Sequence, residues 1–261
     1  KSGSGLNPLS KIYDSFSVDK LAVNADTLSL TSDGIVGKAV QKGDVTTIKQ
    51  SVKPFTLSFS GEPEDRKIAQ LQQTLASAGF EKIVFSAGST TKLDAKADSF
   101  DVTDSFLTVD DAFDMNFAYG GTGLSAITKA MDEAGSEGMN GKDADEILDG
   151  VSLGHFDLSL TDNSILEKIF AVVASQQGST PAMIKMQAKS GLMMLGMAAQ
   201  TETQGKALTD LSSALGKLLD EGGTLKISLR PENPVALSSL KDANPQTLDP
   251  EMLGFSVEHK K

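Results

Sequence analysis

Between Gly154 and Arg230 the order of apolar and polar residues changes period twice. The stretch opens on His155-Phe156-Asp157-Leu158-Ser159-Leu160, with Phe156, Leu158 and Leu160 on one face and His155, Asp157 and Ser159 on the other. It closes on Thr224 to Arg230, where Leu225, Ile227 and Leu229 alternate with Lys226 and Ser228. Alternation of period two predicts strands with one buried and one wet face. Between them the spacing becomes helical. Ser164 and Glu167 have capping-box spacing ahead of Ile165, Ile169, Phe170 and Val173, and Thr180-Pro181 reads as an N-cap followed by proline at the first helical position. A third stripe, Leu208, Leu211, Leu215, Leu218 and Leu219, stops at Gly222-Gly223. The pattern predicts strand, three helices, strand: a helical layer folded onto the apolar face of a sheet.

Upstream, Leu21, Val23, Ala25, Leu28 and Leu30 alternate as a strand does, up to the turn signal Ser32-Asp33-Gly34. Ile35 to Ile48 predicts a strand broken by Gly37 and Gly43; Phe55, Leu57 and Phe59 predict one that stops at Gly61-Glu62-Pro63. Glu64 to Ala78 predicts a helix with Ile68, Leu71, Leu75 and Ala78 in its stripe and Gly79 at its end. From Phe80 to Tyr119 the alternation predicts a meander of four strands, linked at Gly88-Ser89, Ala97-Asp98-Ser99 and Asp110-Asp111. Leu124 to Ala134 predicts another helix, and Gly254 to His259 a last strand. The fold class expected is α+β: a curved, mostly antiparallel sheet with helices packed on its apolar face. Residues 1–15 are expected to be a flexible lead or short helix, and residues 16–261 a single domain with a helical insertion at 162–222.

Charge narrows the function. The net charge is -11, with Lys and Arg scattered singly, which argues against nucleic acid and against an anionic membrane surface. The chain has no Cys, so disulfides, thiolate catalysis and Cys-ligated metals are excluded. The uncharged stretch Ser190 to Thr201 is too short to span a bilayer.

Three motif-like stretches were weighed. Gly121-Thr122-Gly123-Leu124-Ser125-Ala126 follows a strand and opens a helix, like a dinucleotide fingerprint. The preceding strand is half-polar, however, and no second apolar strand follows, so the glycines read as a turn into a helix. Acids gather at Asp98, Asp101, Asp104, Asp110, Asp111 and Asp114, and again at Asp143, Asp145, Glu146 and Asp149. Neither group has the spacing of a calcium loop, and both read as solvated turns and edges. Ser17-Val18-Asp19-Lys20 and Ser238-Ser239-Leu240-Lys241 match the Ser-x-x-Lys pairing of acyl transfer without its companion motifs. His155 and His259 read as surface residues. No catalytic set, metal or cofactor is expected, and the protein is expected not to be an enzyme.

The run Ala78-Gly79-Phe80-Glu81-Lys82-Ile83 leading to Leu107-Thr108-Val109, and the run Leu158 to Leu166 followed by Ser175 to Pro181, resemble uncharacterised exported or envelope proteins of alphaproteobacteria. The resemblance spans about Phe80 to Leu229. It implies a periplasmic location, or a membrane anchor facing the periplasm, and no enzyme activity; it supplies no functional residues.

Methionine is the remaining signal. Met183, Met186, Met193, Met194 and Met197 are five of the nine in the chain and fall within fifteen residues. Met suits surfaces that repack around variable apolar partners, an apolar ligand cavity or a membrane contact, although plain core packing is the simpler account of the cluster. The sequence is thus read as a non-enzymatic envelope protein sheltering an apolar ligand, such as a lipid acyl chain, between sheet and helices. The residues expected to line that space are Phe156, Leu158, Phe170, Met186, Met193, Met194, Met197, Leu225 and Ile227. The alternative is a structural or adaptor protein with a solid core and protein contacts on its loops. Protein partners and oligomeric state are left open by the sequence.

Overall fold

Twelve strands join in one sheet in which every pairing is antiparallel, the outcome that short links and period-two patterning demand. The computed structural model describes residues 14–25, 27–134, 141–195, 199, 201–241 and 249–261. The first five strands are β1 (Ser15–Val18), β2 (Leu21–Ala25), β3 (Leu28–Ser32), β4 (Ile35–Lys42) and β5 (Val45–Phe59). Helix α1 (Arg66–Ser77) then leads to the meander β6 (Lys82–Asp94), β7 (Ser99–Val109) and β8 (Phe113–Thr122). Helices α2 (Leu124–Ala134) and α3 (Gly141–Gly150) precede β9 (Ser152–Asp162). The three helices of the insertion are α4 (Ile165–Gln177), α5 (Pro181–Leu195) and α6 (Glu202–Glu221). The chain closes with β10 (Gly223–Leu229), the two-residue β11 (Val235–Ala236), α7 (Leu237–Lys241) and β12 (Phe255–Lys260).

The main path of the sheet runs β1-β4-β5-β6-β7-β8-β9-β10-β12 and does not close. β5 is 15 residues long and serves two partners on the same edge: β4 pairs with its first half and the β2–β3 hairpin with its second. β9 and β10 pair directly, Leu160 opposite Leu225 and Leu158 opposite Ile227, so the three helices between them leave the sheet and return to the adjacent position.

Directly opposed residues in antiparallel strands point to the same face. Traced across the ladders, Ile35, Val52, Ala87, Leu107, Met115, Leu160 and Leu225 form one continuous row. The rows beside it carry Ile48, Val102, Tyr119, Phe156 and Leu229 on one side and Phe55, Phe85, Val109 and Phe113 on the other. Among the paired residues of this face the ionisable ones are Asp162, Tyr119 and His259. The other face carries Lys38, Lys49, Thr90, Asp101, Asn116, Asp157, Ser159, Lys226 and Ser228. One face of the sheet is therefore mainly apolar and the other mainly polar, with Val36, Val40 and Phe106 as exceptions on the polar one.

Helices cover only part of the apolar face. Ala214 and Leu218 of α6 and Leu225 of β10 form the buried cluster, with Leu166, Leu215, Ile227 and Val257 packed around it. That covering sits over β10 and β12. The accessible surface is 16,013 Å², against about 11,000 Å² expected for a folded chain of this mass. On the apolar face away from that covering, Ile35, Val52, Leu107 and Met115 are half-buried rather than buried.

Several local expectations are corrected. Gly88-Ser89 is not a turn but a bulge inside β6, where the register shifts against β7, so the meander has three long strands in place of four. Gly37 lies inside β4 and does not break it, because the ring of Phe16 on β1 occupies the space a side chain would take; the break comes at Gly43. Ser164 makes no capping hydrogen bond. Asp162 takes that role, accepting from the backbone N–H groups of Ser164 at 3.1 Å and Leu166 at 3.2 Å, while the Ser164 hydroxyl donates to the carbonyl of Asp111. The remaining caps are as expected: Thr180 accepts from Met183 N–H at 3.3 Å, and α6 ends at Gly222, whose positive φ of 65° suits glycine.

Candidate functional site: an open apolar groove

The floor of the groove is built by the alternation that builds the sheet. Each strand from β4 to β8 contributes one or two side chains to the same face, and bulges between Val52 and Phe55 and between Gly88 and Thr90 bend it. The result is an open concavity of about 410 Å³ lined by Ile35, Val52, Ala87, Gly88, Phe106, Leu107, Met115 and Phe117, with Gln50, Ser51 and Ser89 as its polar members. Every residue lining it belongs to a strand. No Lys, Arg, Asp or Glu reaches it. A groove of this size and lining accepts an uncharged chain and offers a carboxylate or ammonium no partner.

The residues predicted from sequence are not gathered in one space. Leu225 is 5% exposed and, with Ile227, belongs to the filled cluster beneath α6. Phe156 and Leu158 are half-buried on β9, on the same face and opposite Tyr119 and Phe117. Phe170 is half-buried on α4. Met186, Met193 and Met194 are 67%, 75% and 69% exposed. Met197 lies outside the described residues. Between α5 and α6 there is a second, smaller cleft of about 260 Å³, lined by Lys189, Leu192, Met193, Thr209, Ser212 and Gly216.

Sequence reasoning missed the groove because its residues come from five strands and none stands out alone. The signal was present: the apolar positions of β4 to β8 are as regular as those of β9 and β10, but the buried cluster under α6 forms at β10.

The acidic turns have an ordinary structural explanation. Asp98, Asp104 and Asp111 all have φ between 50° and 55°, a left-handed conformation that Asp adopts more readily than most residues. Asp98 also accepts the backbone N–H of Ser125 at 2.7 Å and so caps α2. Asp101 faces His155 at 3.3 Å on the polar face. Among the described residues no group of three or more His, Asp or Glu is placed to hold a metal ion, and no helix is long and apolar enough to cross a membrane.

The model of a family described as "Uncharacterized protein" matches residues 106–260, more than half of the chain. The chain belongs to this family. The matched region runs from within β7 to β12 and contains the helical insertion, the covered part of the sheet and the Leu107, Met115 and Phe117 side of the groove. No curated protein matches the chain.

Proposed function

We propose that the protein holds an apolar ligand, of the kind a lipid acyl chain represents, against the uncovered part of its sheet. The observation that supports this most strongly is the row Ile35, Val52, Ala87, Leu107 and Met115, continuous across five strands, free of charge, and open to solvent along a groove of about 410 Å³. Exposed apolar area of this extent is rare in a protein with nothing to bind. The reading differs in location from one centred on Leu225 and the methionines: the ligand lies on the sheet beside the helical layer. It takes the protein as exported and non-enzymatic, supported by the resemblance of the runs around Phe80 and Leu158 to exported envelope proteins.

Native mass spectrometry of gently purified protein is expected to show heterogeneous lipid adducts. Leu107→Asp and Met115→Asp place a charge in the floor and are expected to remove the adducts. If no lipid co-purifies, and an acyl-chain probe shows no saturable binding to delipidated protein, the reading fails.

A further inference from the structure

Helix α5 is apolar on two sides. Ile184 is buried at 7% exposure, and Ala188 and Leu192 follow on that side at helical spacing, half-buried. The opposite side presents Met183, Met186, Met193 and Met194, at positions i, i+3, i+10 and i+11, all more than half exposed. A helix that is apolar all round is normally buried all round. Here one side packs on the protein, and the other is exposed among the described residues.

Charge singles out the same segment. From Lys168 to Thr201, 34 residues, there is no Asp or Glu, whereas no other acid-free run in the chain exceeds 17 residues. The run contains Lys168, Lys185 and Lys189, in a protein of net charge -11. Lys189 bonds the carboxylate of Asp220 on α6 at 2.8 Å, Lys185 lies 3.8 Å from it, and Lys168 sits 4.3 Å over the Phe80 ring. The lysines thus anchor the helices to the body and to one another, and the exposed stripe is left neutral. The acidic repulsion that keeps the rest of the chain from lipid headgroups is offset here, since Asp220, the carboxylate bonded to this helix, is paired with Lys189 and Lys185.

We propose that α5 is a membrane-contacting helix that lies in the interfacial plane of a lipid bilayer, with Met183, Met186, Met193 and Met194 inserted among the acyl chains. Unbranched thioether side chains adapt to a fluid apolar medium, and a shallow interfacial helix requires no spanning length. A bilayer accounts for both features at once: the apolar stripe meets the acyl chains, and the flank, where Lys185 and Lys189 offset the charge of Asp220, meets the headgroups. The inference stands apart from the ligand reading, since the stripe and the groove are on different elements.

The test is vesicle flotation of the full chain with phosphatidylcholine vesicles, with and without a minority of phosphatidylglycerol. The protein is expected to float with both. The double substitution Met193→Asp, Met194→Asp is expected to lower the bound fraction about tenfold or more, with the thermal midpoint unchanged because both side chains are already in water. Met193→Leu, Met194→Leu is expected to float like the parent. The proposal is overturned if the parent chain stays with the soluble fraction, or if the Asp variant floats equally well. It is also overturned if the stripe proves to join two copies, seen as a dimer in light scattering that the Asp variant dissolves while flotation is absent. Adduct loss in native mass spectrometry bears on the groove alone, so the two readings fail separately.

Discussion

Glycine shows best how single residues are tied to their surroundings. A Cβ at Gly121 would collide with the carbonyl oxygen of Ser152 on the neighbouring strand, a backbone atom that has nowhere to move. Gly191 sits inside α5 with nothing within 4 Å of where its Cβ would be. The same substitution therefore has opposite signs at the two sites. Gly121→Ala is expected to cost about 1–3 kcal/mol, as overpacking does. Gly191→Ala is expected to stabilise by roughly 0.5–1 kcal/mol, the helix preference of alanine over glycine. Urea denaturation of both variants measures this, and equal effects at the two sites would contradict the close approach of β8 to β9. Leu225, by contrast, has its space filled by Ala214 and Leu218, and Leu225→Ala is expected to lose about 2–5 kcal/mol.

At the scale of elements, α5 is held to α6 by polar contacts at its flank. The Asp220 carboxyl lies below its ordinary value of 3.8, chiefly because Lys189 hydrogen-bonds the carboxylate; partial desolvation works against this, and the charges of Lys189 and Lys185 add to it. A carboxyl with a lowered folded value contributes its stabilisation fully above the ordinary value and loses it as pH falls through the lowered one. The group is exposed, so the contribution is small. Protection of the α5 amides, taken relative to their intrinsic exchange rates, is expected to fall slightly on acidification below the ordinary carboxylate range, and Asp220→Asn is expected to flatten that dependence. A pH profile unaltered by the substitution would detach α5 from this contact.

Elements were also where the sequence was most and least legible. The strand-helices-strand unit was readable because Phe156 to Leu160 and Leu225 to Leu229 alternate without interruption, and Thr180-Pro181 and Gly222-Gly223 punctuate the helices between them. The bulge at Gly88-Ser89 was not, because a glycine followed by serine signals a turn and a bulge equally well; only the register against β7 separates them. The methionines misled for a related reason. Spacing shows that α5 is apolar on more than one side, but which side meets the protein depends on how α4 and α6 pack. The groove stayed hidden since its rows form only when strands distant in sequence are brought side by side.

For the whole molecule, the two-faced sheet and the partial helical cover have one measurable consequence. Folding leaves 16,013 Å² exposed, so unfolding uncovers about 24,000 Å² where a chain of this mass ordinarily uncovers about 29,000 Å². Denaturant slopes and heat capacities of unfolding scale with that area. The delipidated protein is therefore expected to unfold with an m-value and a heat-capacity change about one-fifth below those of compact domains of equal length. On the apolar face over β4 to β8, Ile35, Val52, Leu107 and Met115 are half-buried, whereas Leu225 is buried. Leu107→Asp, on that uncovered part, is therefore expected to cost much less stability than Leu225→Asp, on the covered part of the same row. Self-association through the open face would erase both signatures, raising the m-value with protein concentration and making the Leu107→Asp penalty large. If the m-value at micromolar concentration equals that of a compact domain, the face is closed in solution, and neither a groove nor a ligand resting in it survives.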